Sequence, residues 1–158
     1  MSFSYTAKAR KEHDLRVESD LEQIATRLLA DFPGQIEALV LVGSFGRGEG
    51  TVVIRDGEVW PVHDYDIVIV GKDDLPREKV GWARLELAKT LGIPQVDLFP
   101  YRRGQLSAFG PSLLALDLKT ASHVFHGDAS VLDAIRPIDP TKIPIEEGRR
   151  LPPTTPRR

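Results

Sequence analysis

Three aspartates stand where chemistry could need them. Asp64 and Asp66 flank Tyr65 in "DYDIVIVG", and Asp97 interrupts the apolar "VDLF". In an extended strand alternate residues share a face, so Asp64 and Asp66 are expected on one side and Tyr65 on the other. Two carboxylates on one face repel each other and add nothing to the fold. A divalent cation removes that conflict. Mg²⁺ takes oxygen ligands and commonly uses one or two carboxylates with substrate phosphate oxygens. Asp97, inside an otherwise apolar run, is costly unless it is paired, hydrogen-bonded or metal-bound.

A second cluster lies upstream, in "LVGSFGRGEG". A plain turn needs one or two glycines, and this stretch has four. Such a loop leaving a strand lets a polyanion lie against backbone N–H groups with no Cβ in the way. The Ser44 hydroxyl can donate to a phosphate oxygen, and Arg47 can offer a planar, bidentate charge. Phosphates on one side and three carboxylates on the other, with metal ions between, is a layout for phosphoryl or nucleotidyl transfer.

The elements that must hold these residues read as alternating helices and strands. "SDLEQIATRLLADFPG" predicts a first helix, with Ser19 and Glu22 at capping-box spacing and Pro33-Gly34 as the stop. "IEALVLVG" predicts a central strand buried on both faces. After the glycine loop, "TVVIRDGEVWPV" predicts a hairpin turning at Asp56-Gly57, with Pro61 suited to an edge. "DYDIVIVG" and "QVDLFPY" are two further strands, separated by a helix over "PREKVGWARLELAKTLGIP" that stops at Gly92. "PSLLALDLKTA" reads as a helix, "SHVFHG" as a short strand, and "DASVLDAIR" as a last short helix begun by Asp128. The expected class is α/β (α+β): a small mixed sheet flanked by helices, with an inserted hairpin.

Composition narrows the function classes. The chain has 158 residues, 41% apolar and 28% charged, which fits one globular domain. A formal net charge of −2 argues against an extended nucleic-acid footprint. The absence of cysteine excludes disulfide frameworks and thiolate metal sites. No signal peptide or membrane-spanning run is visible, so a cytoplasmic protein is expected. Six of twelve prolines fall in the last 22 residues. The expected division is therefore a catalytic domain over 1–136 and a Pro/Arg-rich tail or linker stump over 137–158.

With "GSFGRGE", "DYDIVIV" and "VDLF" in that order, the chain resembles the nucleotidyltransferase superfamily related to DNA polymerase β, in particular its small stand-alone members. The resemblance spans roughly residues 20 to 135. It implies two Mg²⁺ ions, with Mn²⁺ able to substitute, and transfer of a nucleoside monophosphate from a nucleoside triphosphate, ATP by default, to an acceptor hydroxyl. On this reading Asp64 and Asp66 hold both metals, while Asp97 completes one metal site and receives the acceptor's proton. Gly43 and Ser44 cradle the terminal phosphates with Gly48 nearby, and Arg47 adds positive charge. Glu49 orders the loop through Arg47. The hairpin between Ser44 and Asp64 departs from the smallest members, which pass through a short helix instead.

Blander readings stand beside each feature. The glycine loop alone is a mobile turn, the acid pair alone a solvated strand end, and Asp97 alone a helix cap or a partner for Arg102. His123 and His126 are expected on opposite strand faces, without a shared metal. His63 either touches substrate or makes a structural hydrogen bond, and Trp60 and Trp82 are expected to pack. Two alternative functions belong to other classes. One is a partner-binding, antitoxin-type protein in which the fold modifies or masks a second protein. The other is a nucleotide-binding regulator without turnover, against which the three acids together argue. A homo-oligomer is also open.

Overall fold

The computed structural model describes residues 3–146. The chain runs α1 (Lys11–Asp31), β1 (Ile36–Val42), a one-turn α2 (Gly43–Gly46), β2 (Val52–Arg55), β3 (Glu58–Pro61) and β4 (Tyr65–Gly71). It continues with α3 (Arg77–Leu91), β5 (Val96–Arg102), a one-turn α4 (Arg103–Leu106), α5 (Leu113–Thr120) and β6 (His123–Gly127). Two 3₁₀ turns follow, Ala129–Ala134 and Pro140–Lys142, begun by Asp128 and Asp139 side chains.

The main sheet has the order β5-β4-β1-β6. β1 is antiparallel to both neighbours and β4 is parallel to β5, so the sheet is mixed as the sequence implies. β1 and β4 are central and buried on both faces, which explains their unbroken apolar runs. One face carries Leu39, Leu41, Ile67 and Ile69 against α1 and α3. The other carries Val40, Val42, Val68 and Val70 against α4, α5 and the first 3₁₀ turn. The β2–β3 hairpin forms its own two-stranded sheet. Asp56 and Gly57 have φ of 51° and 79°, as a type I′ turn requires.

α1 starts nine residues earlier than the Ser19–Glu22 pair predicts. Between Lys11 and Ser19 nothing breaks a helix, and His13, Val17 and Asp20 continue the buried stripe backward. Ser19 is an exposed mid-helix residue. At the other end ordered packing passes residue 136: Ile138 lies against the second core. The remainder of the expected tail, residues 147–158, falls outside the described residues.

Candidate active site

The sheet register brings the two sequence clusters to one level. Val42, the last residue of β1, pairs with Asp66, and Asp66 pairs with Asp97. Gly43 therefore leaves the sheet directly beside the Asp66 carboxylate. Its φ is +70°, and a Cβ built on it would overlap Asp66 Oδ2. Any other residue there would be strained and would displace the acid. Ser44 follows, half-buried, with no hydrogen-bond partner for its hydroxyl among the described residues.

The other glycines of the stretch have a different reason. A Cβ at Gly46 would lie 2.9 Å from the Leu41 carbonyl carbon, and one at Gly48 would lie 2.9 Å from Ser4 O. One at Gly50 would run into the Phe45 ring. Three of the four are thus explained by close packing of this chain on itself, and Gly43 alone abuts the acids. Gly48, expected near phosphates, packs on the N-terminal segment instead.

Arg47 is held by two carboxylates, Glu49 and Asp117, each at 3.3 Å. Glu49 orders the loop as expected. Asp117 was not legible from sequence: it sits on α5, and only an acid inside the apolar "LLALDL" hinted at it. Burial pushes the Asp117 carboxyl up, and Arg47 opposes that shift.

Asp66 is the most perturbed acid of the site. Burial first, then the Asp97 charge, its hydrogen bond with Asp97 and the Asp64 charge push its pKa up to about 7, while Arg47 pulls it down. Asp97 accepts a 2.6 Å hydrogen bond from Gln95 Nε2, and Arg84 Nη1 lies 4.0 Å from the same oxygen. Its arginine is Arg84 on α3; Arg102 instead bonds Asp74 at 2.9 Å. Asp64 precedes β4 and is exposed, so strict strand alternation does not govern it. Asp66 and Asp97 face each other, and Asp64 acts on Asp66 by charge. Among the described residues no three His, Cys, Asp or Glu side chains are grouped as ligands of one ion. The donor chemistry nonetheless fits Mg²⁺: oxygen ligands only, with a like-charge pair whose repulsion a cation would relieve.

A buried network fixes where β4 begins. The hydroxyl of fully buried Tyr65 donates to Asp20 Oδ2 at 2.7 Å, and Arg16 Nε bonds both Asp20 oxygens at 3.0 Å. Arg16 also donates to the carbonyls of Val59 (2.8 Å) and Leu91 (3.0 Å) and lies 4.8 Å over the Trp60 ring. α1 thereby ties the mouth of β4, the hairpin and the end of α3 together. Trp60 packs as expected, whereas Trp82 is 66% exposed.

The histidines differ from expectation. His63 Nδ1 is buried without a hydrogen-bond partner, and its ring stands edge-on to Phe45 at 6.2 Å. A register shift in β6 pairs His123 with Leu41 and His126 with Leu39, which share a face. The two histidines therefore lie on the same face; the bulge cancels the alternation that the sequence implied.

No protein-family model matches the chain, and no curated protein matches it either. Solved structures do. A mutant of the toxin–antitoxin pair MntA–HepT aligns with TM-score 0.51 at 19% identity, over 71% of this chain and 77% of that one. A tri-AMPylated Shewanella oneidensis HEPN toxin in complex with MNT antitoxin aligns with TM-score 0.50 at 18% identity, over 74% and 83%. The chain has the nucleotidyltransferase-like fold, a mixed sheet flanked by helices.

Proposed function

We propose that the protein is a metal-dependent nucleotidyltransferase that moves a nucleoside monophosphate, AMP by default, from a triphosphate to an acceptor hydroxyl. The observation that carries this reading is the alignment, at one level of the sheet, of Gly43 just past β1 with Asp66 on β4 and Asp97 on β5. Asp66 and Asp97 would hold Mg²⁺ or Mn²⁺, with Asp64 joining them. Bound there, the ions supply Lewis-acid stabilisation of charge on the transferring phosphoryl group and on the departing pyrophosphate. The Gly43–Ser44 backbone and the Ser44 hydroxyl would bind the terminal phosphates. Arg47 would exchange Glu49 and Asp117 for phosphate oxygens. The acceptor oxygen attacks the α-phosphorus, the bond to the β-phosphate oxygen breaks, and Asp97 takes the acceptor's proton.

The acceptor we favour is a hydroxyl on a partner protein, in the manner of an antitoxin acting on its toxin. The structurally similar MNT antitoxin, in complex with an AMPylated toxin, supports that choice. ATP labelled at the α- or the γ-phosphate, incubated with the protein, Mg²⁺ and a cell extract, tests the reaction. Label from the α position should become protein-bound and label from the γ position should leave as pyrophosphate. Protein-bound γ label with no α label would mean phosphoryl transfer and would overturn the proposal.

A further inference from the structure

Beyond Asp97 the sheet ends, and a cleft of about 460 Å³ opens between α3 and the outer side of β5. Register places Asp97, Phe99 and Tyr101 on the face of β5 that Val68 and Val70 share, the side of α4 and α5, whereas Leu98 and Pro100 fall on the α3 side; all five line the cleft where the sheet ends. Arg77, Gly81 and Arg84, spaced by about one helical turn, present one side of α3 to the same cleft. Phe99 is 38% exposed, an unusual position for an aromatic at a strand edge. Arg77 has no acidic partner among the described residues, and Arg84 has only the 4.0 Å approach to Asp97.

Gly81 is the telling residue. A glycine inside a helix weakens it, and packing normally supplies the reason for keeping one. Here a Cβ would meet nothing within 4 Å. No neighbour of this chain needs the space, whereas an occupant of the cleft would.

Resting on the proposed transferase reading, we infer that the acceptor is a protein segment with acidic residues beside its target hydroxyl, and that it docks in this cleft. The phosphate-facing glycine lies on the β1 side of the acids, and the cleft lies on the opposite side. An acceptor entering there meets Asp97 first, with its hydroxyl at the proton-accepting oxygen. The two guanidiniums would take flanking carboxylates, and Leu98 with Pro100 would supply an apolar floor, with Phe99 at the open edge. Gly81 lets the incoming backbone come close.

Binding tests this without turnover, so its failure and that of the transferase reading are separable. Fluorescein-labelled peptides with a central tyrosine and acidic, neutral or basic flanks are titrated with the full chain, Mg²⁺ and a non-hydrolysable ATP analogue, by anisotropy. The acidic peptide should bind at least tenfold more tightly than the other two, and the advantage should shrink as salt rises. Arg77→Gln should reduce that advantage severalfold. Gly81→Leu, which favours the helix, should abolish binding while circular dichroism stays unchanged. Equal binding of the three peptides would overturn the acidic preference. Undiminished binding to both variants would overturn the location.

Discussion

Asp20 and Asp66 are both carboxylates largely withdrawn from water, yet they serve opposite ends. Asp20 meets a guanidinium and a phenol at 3.0 and 2.7 Å, so both its oxygens are satisfied. Burial raises its pKa, while Tyr65 and Arg16 pull the other way. Asp66 is backed by Asp97 and Asp64, so burial and like charge act together on it, opposed only by Arg47. The first acid is surrounded by what a carboxylate needs to stay ionised in a fold. The second is surrounded by what only a cation or a proton can relieve. Stability favours the first arrangement, and a structure that keeps the second points to chemistry there.

The comparison breaks most visibly at Asp20. Asp20→Ala strands the Arg16 charge and the Tyr65 hydroxyl together, and should cost about 3–5 kcal/mol in urea unfolding. A loss below about 1 kcal/mol would show that the network is ornamental.

Next comes pH. In metal-free protein the folded state keeps a proton on Asp66 to about pH 7, while an unfolded aspartate has released its own near 3.8. Between those values the folded state binds more protons, so stability falls as pH rises and levels off above about 7. The loss should be on the order of 2 kcal/mol once solvent screening is allowed for. Asp66→Asn should flatten that slope. Unfolding midpoints in chelator at pH 5 and pH 8 measure it, and a wild-type stability that rises over this interval attributable to Asp66 would contradict the like-charge account.

The smallest effect sharpens the contrast at Gly81. Gly81→Ala should stabilise the protein by about 0.5–1 kcal/mol, because the helix gains and nothing collides. Destabilisation by thermal melt would mean that the glycine has a packing role within the chain.

Much of the scaffold was legible because period and punctuation agree. The apolar runs of β1 and β4, the Asp56-Gly57 turn and the Gly92 stop each have a local cause that the sequence prints. The start of α1 was not, since capping-box spacing also arises by chance between exposed residues of a longer helix. The strand face of His126 was lost to a bulge, which no alternation rule anticipates. At the site, the three acids and Gly43 were legible as residues, whereas the pairing of Asp66 with Asp97 comes from the sheet register. Arg84, Gln95 and Asp117 depend on how α3 and α5 pack, and the reason for three of the four loop glycines lies in tertiary contacts.

The most direct measurement is titration calorimetry of Mn²⁺ with a non-hydrolysable ATP analogue into wild type and Asp66→Asn, each checked for fold at the same pH. The wild type should bind metal and nucleotide together, and Asp66→Asn should bind at least tenfold more weakly although it unfolds no more easily than wild type above pH 7. Equal binding by a folded Asp66→Asn protein would mean that the strained acid is not a metal ligand, and the central claim would fail.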